Sequence, residues 1–311
     1  MRAVGITRFG GPEVLEIVEL PVPEPGEGEV RIKVAAATVN PSDTAQRAGA
    51  FGPPPNRPDP PYVPGWELAG VVDAAGPGVS WQPGERVLAI VFPYGGGTGA
   101  QCEYVVVPAD SVARVPDGVS LAEAATLPMN GLTARLALDK LGLLPGQTIA
   151  VTGAAGAVGG YVMELAARER LRVIGDASPA DAELVKSLGA DIVVPRGPDV
   201  AAAVRQAVPD GVDAVVDTAL IGPPVLAAVR DGGQLIAVRP FGGETERGIT
   251  ITLVFVAEYV QEAVKLAALA DLVTDGKLTL RIAAEIPAEY AAEAHRRLEA
   301  GGTRGRLVLT F

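Results

Sequence analysis

The sequence contains a single cysteine, Cys102, and few basic residues relative to acidic ones. One cysteine excludes an internal disulfide framework and a multi-cysteine metal lobe, and it fits a reducing compartment. Against 26 Lys and Arg stand 37 Asp and Glu, which gives a formal net charge of −11. A protein this acidic repels phosphate backbones, so nucleic acid is not expected as its main partner.

Long hydrophobic runs are absent as well. A membrane helix needs about 20 apolar residues, and the longest candidate, Ile249–Ala257, is far shorter and contains two threonines. The first residues, MRAVGITRFGGPEVLEI, contain neither an apolar signal core nor a small-residue cleavage site. The sequence therefore predicts a soluble, cytoplasmic protein without a membrane partner.

Two segments of different character are present within 311 residues, a length typical of about two domains. Early in the chain, short β-rich runs are separated by Pro and Gly clusters, and Val30–Val34 alternates apolar and polar residues as a half-buried strand does. After Thr148, strands and helices alternate, which is typical of a parallel sheet covered on both faces. The predicted strands are Thr148–Thr152, Leu171–Gly175, Ile192–Val194, Ala214–Asp217 and Gln234–Val238, and the predicted helices cover 157–169, 180–188, 199–207 and 223–230. Ser120 and Glu123 have the spacing of a capping box at a helix start, and Arg306–Thr310 is predicted as the final strand. We predict an α/β protein with a β-rich domain of residues 1–120 and 282–311 and a doubly wound domain of residues 121–281.

The main motif is a glycine-rich turn between a predicted strand, Thr148–Thr152, and a predicted helix over residues 157–169. The turn reads GAAGAVGG and places Gly153, Gly156 and Gly159 three residues apart. In such a βαβ unit the first glycine permits a tight turn, the second lets the backbone approach a pyrophosphate, and the third allows close packing of the helix. Because the free N–H groups at the helix start then face the anion, we predict a dinucleotide site here.

The end of the next strand bears on the choice between NADH and NADPH. Asp176 occupies this place, where a carboxylate would hydrogen-bond a ribose 2′-OH and repel a 2′-phosphate, which favours NADH. Ser178 and Arg196, on nearby loops, could instead bind the 2′-phosphate of NADPH. A solvated loop charge is an equally good interpretation of Arg196, and these residues alone leave the choice open.

Several stretches resemble a known family: GWELAGVVDAAGPGVSWQPGERV (residues 65–87), VNPSD (39–43), the Leu127-Pro and Gly131-Leu-Thr133-Ala segment, and AAGAVGG (154–160). Together they resemble medium-chain dehydrogenases/reductases and, among these, the zinc-free quinone oxidoreductase branch. The resemblance implies a GroES-like catalytic domain built from both chain ends, a Rossmann domain between them, NADPH as cofactor and a homodimer. The segment Ile249–Ala257 is a candidate edge strand for that dimer.

Two positions depart from the zinc enzymes of the same superfamily. Zinc alcohol dehydrogenases carry a cysteine where this chain has Asn40 and a histidine where it has Trp66. Zinc needs about three or four protein ligands, and Cys102 and His295 are the chain's only thiol and imidazole. A catalytic zinc site of that kind is therefore not expected. Cys102 is expected to be a small buried side chain, and His295, beside two arginines, to lie on a solvent-exposed helix face.

Without a Lewis acid, a nicotinamide hydride needs an acceptor that stabilises its own negative charge. In a quinone or an α,β-unsaturated carbonyl compound the charge delocalises onto a distant oxygen, which a few neutral donors can stabilise. We therefore expect a quinone or enone reductase. The positions that match the family suggest Asn40 as an amide donor, Asp43 as the residue that orients Asn40 or Arg47, and Thr133 near the nicotinamide. Turn and helix roles are the alternatives for Asn40 and Thr133. Ala45 stands where family members often carry a tyrosine, so the proton donor is not identified.

The remaining expected contacts complete the predicted site. The cofactor set comprises the turn and the residues that follow neighbouring strands: Gly153, Ala155, Gly156, Ala157, Val158, Gly159, Asp176, Ser178, Arg196, Thr218, Val238, Arg239 and Phe241. Trp66 and Phe255 are expected to line an apolar substrate pocket, although lone aromatic residues more often belong to a core. The alternative function is an NADPH-binding sensor or structural protein with little turnover.

Overall fold

A computed structural model describes residues 1–55, 57–95 and 97–311 of the chain. The chain folds into two compact units. Unit 1 comprises Met1–Met129, Ala257–Gly276 and Leu280–Phe311, and unit 2 comprises Asn130–Val256 and Lys277–Thr279. No described helix is long and apolar enough to cross a membrane.

The described residues form short strands and mostly short helices. The strands are β1 (Arg2–Ile6), β2 (Leu15–Glu19), β3 (Glu29–Thr38), β4 (Glu67–Ala75), β5 (Arg86–Ile90), β6 (Tyr104–Pro108), β7 (Val112–Arg114), β8 (Thr148–Thr152), β9 (Arg172–Ala177), β10 (Ile192–Pro195), β11 (Val212–Asp217), β12 (Val229–Ala237), β13 (Thr250–Leu253), β14 (Ile282–Pro287) and β15 (Arg306–Thr310). The α-helices are α1 (Pro41–Arg47), α2 (Leu121–Ala124), α3 (Pro128–Leu141), α4 (Ala157–Arg168), α5 (Ala182–Ser187), α6 (Val200–Ala207), α7 (Ala263–Thr274) and α8 (Ala291–Ala300).

Unit 1 is built on a mostly antiparallel sheet in the order β14-β15-β3-β4-β5-β7, with β6 also paired to β3. Within β3, Ile32 and Val34 are buried as their alternation predicts, and they join the apolar core of the unit. The last strand, predicted over Arg306–Thr310, forms over those residues. It pairs antiparallel with β3 and aligns Val308 with Thr38. This register brings Arg306 close to the end of β3.

Unit 2 is a parallel six-stranded sheet in the order β10-β9-β8-β11-β12-β13. Numbered from β8, this is the 3-2-1-4-5-6 order of a Rossmann fold, so the predicted fold class is confirmed. All five residues of β8, Thr148–Thr152, are buried, as a central strand covered on both faces requires. The strand order reverses at β8, and sheets of this kind bind ligands outside the carboxyl ends of their strands at that point.

One predicted element of unit 2 is wrong. Residues 223–230 were expected to form a helix, but Pro223–Ala228 forms a 3₁₀ helix and Val229 already begins β12. Val229 pairs with Val212 in the sheet, so β12 begins directly after the 3₁₀ helix. Val229 and Arg230, which were predicted to end a helix, therefore form the start of β12.

The position of α7 differs from the predicted domain boundary at residue 281. The helix belongs to unit 1, where it packs against β7. The preceding segment is held there by Ser111, whose Oγ donates to the Val260 carbonyl at 2.5 Å. An apolar helix face predicts that a helix packs on a sheet, but it does not specify which sheet.

The segment Ile249–Ala257 contains the predicted edge strand. β13 lies at the edge of the parallel sheet. After it, Leu253 and Phe255 are 48% and 51% exposed. Pairing of this edge across a two-fold axis stays a prediction.

Candidate active site

Helix α1 begins directly after Asn40, and Asp43 fixes its first turn. The Asp43 carboxylate accepts the Asn40 N–H at 2.8 Å through Oδ2 and the Gly65 N–H at 3.0 Å through Oδ1. Asp43 is fully buried, and burial raises the pKa of its carboxyl to about 7, although the two N–H donors act to lower it. Asp43 thus orients the backbone of Asn40 and ties α1 to the turn that enters β4.

Four side chains from distant parts of unit 1 form what we call the polar cluster: Thr38, Asn40, Glu67 and Arg306. Arg306 Nη2 donates to Thr38 Oγ1 at 2.6 Å and to Asn40 Oδ1 at 2.7 Å, and it pairs with Glu67 Oε1 at 2.6 Å. The Thr38 hydroxyl also donates to Glu67 Oε1. Asn40 Nδ2 lies 3.2 Å from Thr38 Oγ1 and 3.2 Å from Glu67 Oε1. The cluster therefore holds both ends of the Asn40 amide inward.

Sequence reasoning missed three members of this cluster. Glu67 and Arg306 are 0% and 7% exposed, and a buried charge requires a partner of opposite sign. The available signal was a charged residue at the start of each of two strands that are mostly apolar. That signal does not indicate that the two charges pair, because 239 residues separate them in the chain.

Trp66 and Phe255, the expected lining of a substrate pocket, lie in different units. Trp66 is 2% exposed, immediately before Glu67 of the polar cluster. Its ring packs against Phe92, with 5.5 Å between the ring centroids. Phe255 follows β13 in unit 2 and is half exposed. The role of either residue in substrate binding stays a prediction.

The glycine turn closes between β8 and α4 in unit 2. Gly153 has a φ of +66°, and a Cβ there would lie 2.7 Å from Thr218 Oγ1. A Cβ on Gly159 would lie 2.5 Å from the Gly153 carbonyl oxygen, so the absence of a side chain lets α4 approach the turn closely. Gly156 is the N-cap of α4, and no side chain caps this helix in the part of the chain that the structure describes.

The shape and chemistry of the turn fit the pyrophosphate of a dinucleotide. Ala155 lies within the turn, and Ala157 and Val158 form the first turn of α4. The sequence of the turn contains no charged side chain that would repel a phosphate. Backbone N–H groups at an uncapped helix start and the dipole of α4 favour an anion at this position.

Asp176 lies at the C-terminal end of β9 and is turned into the protein. It is 3% exposed, and its Oδ1 accepts the Ala154 N–H of the glycine turn at 3.0 Å. Burial raises the pKa of its carboxyl. The carboxylate therefore supports the turn from inside the unit, in addition to lying where a ribose selector is expected.

Ser178 and Arg196, the predicted 2′-phosphate contacts, flank the same strand end. Ser178 Oγ donates to Asp181 Oδ2 at 2.6 Å, so its hydroxyl is bonded within its own turn. The Arg196 N–H donates to the Ala177 carbonyl at 2.9 Å, which places Arg196 beside the end of β9. The Arg196 side chain is exposed.

A second polar network joins the carboxyl ends of β8 and β11. Thr152 Oγ1 donates to Asp217 Oδ1 at 2.6 Å, and Thr218 Oγ1 donates to the Thr152 carbonyl at 2.5 Å. The Asp217 carboxylate also accepts the N–H groups of Ile221 at 3.1 Å and Gly222 at 2.8 Å. These bonds hold the loop after β11 against the glycine turn. Thr218 was predicted, whereas Thr152 and Asp217 were missed, although each ends a predicted strand.

The other predicted residues of unit 2 lie in separate places. Val238, Arg239 and Phe241 follow β12 at the carboxyl edge of the sheet, where such sheets bind ligands. Phe241 packs against the apolar core of the unit. Thr133 lies within α3 and is 8% exposed. Their contacts with a cofactor stay predictions.

The two residues considered as metal or redox donors are both buried. Cys102 is buried as predicted, and burial raises the pKa of its thiol to about 12. The prediction for His295 is wrong, because this residue of α8 is fully buried and its Nδ1 accepts from Arg47 Nη1 at 3.1 Å. Burial and the adjacent guanidinium lower the pKa of His295 to about 3. Arg47 also binds Glu299 Oε1 at 2.5 Å, so its ionic partner is on α8 and not Asp43.

The residues present do not fit a zinc site. Among residues 1–55, 57–95 and 97–311, no group of three or more His, Cys, Asp or Glu side chains is placed to hold a metal ion. Asn40 is engaged in the polar cluster, and Trp66 offers a ring that packs on Phe92. Neither side chain can replace a thiolate or an imidazole as a zinc ligand.

The two folds define a class of protein: oxidoreductases that combine a GroES-like β domain with a Rossmann domain. Family models agree with this class. Residues 26–117 match the alcohol dehydrogenase GroES-like domain, and residues 188–309 match the zinc-binding dehydrogenase model.

Individual relatives are more specific than the family models. The chloroplastic quinone-oxidoreductase QR1 of Triphysaria versicolor is 32% identical, over 99% of this chain and 98% of its own length. The 2-methylene-furan-3-one reductase of Solanum lycopersicum is 30% identical, over 99% of this chain and 79% of its own.

Solved structures show the same similarity over both whole chains. An NAD-dependent alcohol dehydrogenase is 33% identical with a TM-score of 0.87, covering 100% of each chain. A mycobacterial protein solved in complex with NADPH is 30% identical with a TM-score of 0.86, also covering 100% of each chain. The chain therefore belongs to the medium-chain dehydrogenase/reductase superfamily, in its zinc-free quinone oxidoreductase branch.

Proposed function

We propose that the protein is a zinc-independent reductase that transfers a hydride from NADPH to a quinone or an α,β-unsaturated carbonyl compound. The observation that carries the proposal is the polar cluster. Where zinc enzymes of the superfamily have a ligand, this chain has Asn40, whose amide is bonded to Arg306 and Thr38. A chain that cannot coordinate a Lewis acid there requires an acceptor that delocalises its own charge. The names of the two relatives, a quinone oxidoreductase and a furanone reductase, support acceptors of this kind.

The two units have different roles in this proposal. Unit 2 binds the cofactor, with the pyrophosphate on the glycine turn and Thr218, Val238, Arg239 and Phe241 around the carboxyl edge of the sheet. When bound, the reduced nicotinamide supplies the hydride. Unit 1 provides the surroundings of the acceptor, where Asp43 holds the start of α1 in place. Because the charge develops on a distant oxygen of the acceptor, neutral donors suffice to stabilise it.

In this proposal the cofactor is NADPH, because the burial of Asp176 weakens the argument for NADH. Its carboxylate is turned toward the Ala154 N–H, and burial raises its pKa, so it repels a 2′-phosphate less than an exposed carboxylate would. Arg196 adds an exposed positive charge beside the same strand end. The NADPH complex of the mycobacterial relative supports this choice, while the name of the NAD-dependent relative supports the opposite one.

Turnover tests the reaction directly. Purified protein is mixed with NADPH and either 1,4-benzoquinone or 2-cyclohexenone, and cofactor oxidation is followed at the nicotinamide absorbance band. We expect rates well above those of the same mixture without protein, which gives the uncatalysed reaction. The rate is expected to persist after dialysis against a zinc chelator. A rate equal to the uncatalysed one, or one abolished by the chelator, contradicts the proposal.

Cofactor preference has its own test. Arg196→Ala is expected to weaken NADPH binding by about 10-fold or less while leaving NADH binding nearly unchanged, because an exposed charge contributes about 1 kcal/mol. Arg172→Ala is the matched control, since Arg172 is an exposed arginine at the opposite end of β9. Titration calorimetry gives all the dissociation constants. An equal loss for both cofactors would exclude Arg196 from the 2′-phosphate site.

One observation favours the alternative, an NADPH-binding sensor with little turnover. The Asn40 amide is already hydrogen-bonded at both ends within the polar cluster, so it has little capacity left for a substrate oxygen. Tight NADPH binding without reduction of any acceptor in a broad panel of quinones and enones would support this alternative.

We also propose that the protein is a homodimer that pairs through β13. The strand forms a sheet edge and is followed by the half-exposed Phe255. A monomer mass in light scattering at micromolar concentration would contradict this part of the proposal.

A further inference from the structure

A tyrosine that sequence reasoning did not select has an unusual environment in unit 1. Tyr94 lies in the loop after β5, and its hydroxyl is shielded from solvent without a hydrogen-bond partner in the described part of the chain. Buried hydroxyl groups are nearly always hydrogen-bonded, because leaving one unpaired is energetically costly. An unpaired buried hydroxyl in a reductase is therefore a candidate for a ligand contact.

The ring of Tyr94 belongs to a series of aromatic side chains that we call the aromatic row: Phe51, Tyr94, Phe92 and Trp66. Ring centroids are 5.7 Å apart for Phe51 and Tyr94 and 6.3 Å apart for Tyr94 and Phe92. The row runs from Phe51, which is 49% exposed, to Trp66, which is 2% exposed and adjoins the polar cluster. A surface of aromatic rings that leads inward from solvent favours flat, unsaturated molecules.

The protonation state of Tyr94 follows from its burial and from the charge of Asp43. Burial, followed by the negative charge of Asp43, raises the pKa of Tyr94 to about 12. The phenol therefore stays protonated at neutral pH and can donate a hydrogen bond or act as an acid. Among the described residues Asp43 makes no hydrogen bond to this hydroxyl, and its two oxygens accept the backbone N–H groups of Asn40 and Gly65.

We propose that Tyr94 donates its hydroxyl proton to the carbonyl oxygen of the acceptor and is a catalytic residue of unit 1. This proposal rests on the function proposed above. The hydride pair forms a C–H bond at the conjugated carbon, and the π electrons of the C=C bond shift toward the carbonyl oxygen. That oxygen takes the proton as the Tyr94 O–H bond breaks, which gives an enol. From a quinone, this enol becomes the hydroquinone when the ring carbon that received the hydride loses a proton to water and the second oxygen gains one from water. The acceptor is reduced by two electrons, the nicotinamide is oxidised, and the phenolate recovers its proton from water.

The test compares two tyrosine variants. Tyr94→Phe removes the hydroxyl and keeps the ring, and Tyr290→Phe alters a tyrosine of unit 1 that is 62% exposed. Binding is measured by calorimetry with acetophenone, a flat ketone, in the presence of NADP⁺, so that no hydride is available. Turnover is measured with NADPH and 2-cyclohexenone or 1,4-benzoquinone. Melting temperature and NADPH affinity are expected to be unchanged in both variants.

For Tyr94→Phe we expect acetophenone to bind about tenfold more weakly, as for the loss of one hydrogen bond. We expect kcat with 2-cyclohexenone to fall by about 10²- to 10⁴-fold, the range for general acid catalysis. The loss is expected to be smaller for 1,4-benzoquinone, because its reduced oxygen is a weaker base and needs the proton less. Tyr290→Phe is expected to match the unaltered protein in every measurement.

The outcomes separate this proposal from the proposed function. If the unaltered protein reduces both acceptors and Tyr94→Phe does so equally well with equal acetophenone affinity, the role of Tyr94 is overturned and the function stands. If the unaltered protein reduces nothing but loses acetophenone affinity on Tyr94→Phe, the reductase function fails and Tyr94 remains a carbonyl ligand. If it neither binds nor reduces these compounds, both proposals are overturned.

Discussion

The glycine turn of unit 2 and the polar cluster of unit 1 are built in opposite ways. The turn consists of consecutive residues whose backbone makes the site, and its side chains are at most methyl or isopropyl groups. The cluster joins Thr38, Glu67 and Arg306 from three strands, and side-chain charge makes the site. A site made of backbone is vulnerable to added volume, whereas a site made of buried charge is vulnerable to a missing partner.

The largest effect is expected from removing one charge of the polar cluster. Arg306→Met leaves Glu67 buried without its ionic partner, which is expected to lower the free energy of unfolding by about 3–5 kcal/mol. The double variant Arg306→Met/Glu67→Gln removes both charges and is expected to recover part of this loss. Chemical denaturation measures both values, with Arg304→Met as an exposed control on the same segment. If the double variant is no more stable than Arg306→Met, the unpaired charge of Glu67 is not the cause of the lost stability.

The next effect concerns added volume in the glycine turn. On Gly159→Val the new Cβ would lie 2.5 Å from the Gly153 carbonyl oxygen, so the turn or α4 must shift. A clash of this kind costs about 1–3 kcal/mol, which corresponds to about 10- to 100-fold weaker cofactor binding. Gly242→Ala is the control, because a Cβ there meets no atom within 4 Å and its φ is not positive. Equal cofactor affinity in the two variants would show that close packing of α4 is not required.

A smaller effect is expected from Asp43, whose buried side-chain charge binds two backbone N–H groups. In Asp43→Asn one of the two N–H donors, of Asn40 or Gly65, faces an amide NH₂, and the lost bond costs about 1–2 kcal/mol. The pKa of Asp43 is about 7 in the folded protein against 3.8 as the reference value. The folded state therefore binds the proton more tightly, and this group's contribution to stability falls as pH rises between these values. Denaturation from pH 4 to 7 should show a flatter profile for the variant, and an unchanged profile contradicts the assignment.

At neutral pH the smallest effect is expected from His295, because its titration changes stability only on acidification, and with the opposite sign. Its pKa of about 3 in the folded protein lies below the reference value of 6.5. The unfolded chain then binds the proton more tightly, so this group destabilises the fold as pH falls from about 6.5 toward 3. His295→Asn keeps an acceptor for Arg47 and removes the titration. The variant should lose less stability than the unaltered protein on acidification, and a parallel loss would place the titration elsewhere.

The glycine turn also shows how far sequence reasoning reaches. Its strand, Thr148–Thr152, forms where it was predicted, and α4 begins at Ala157 as predicted. The capping box of Ser120 and Glu123 is present as well, with the Glu123 N–H bonded to the Ser120 hydroxyl at 3.1 Å. Each of these features depends on residues a few positions apart, so the chemistry of neighbouring residues is enough to predict it.

The failures share a different property. His295 was expected on an exposed helix face because two arginines follow it. Instead, α8 packs this face against α1, where Arg47 donates a hydrogen bond to His295. The helix expected over 223–230 lost its last residues to β12. The Tyr94 hydroxyl, which has no hydrogen-bond partner among the described residues, has no sequence signature, because burial of one atom depends on the loops and rings around it.

The sequence alone determined the succession of strands in unit 2, the form of the glycine turn and the presence of only one thiol and one imidazole. These depend on local backbone preferences and on which residue types are present at all. The tertiary structure decided that Arg306 meets Glu67, that Asp176 supports the turn from inside, and that His295 is neutral and buried. The physical reason is that burying the Glu67 charge without an opposite charge beside it is energetically costly. The pairing of β15 with β3 brings Arg306, from the far end of the chain, to that position.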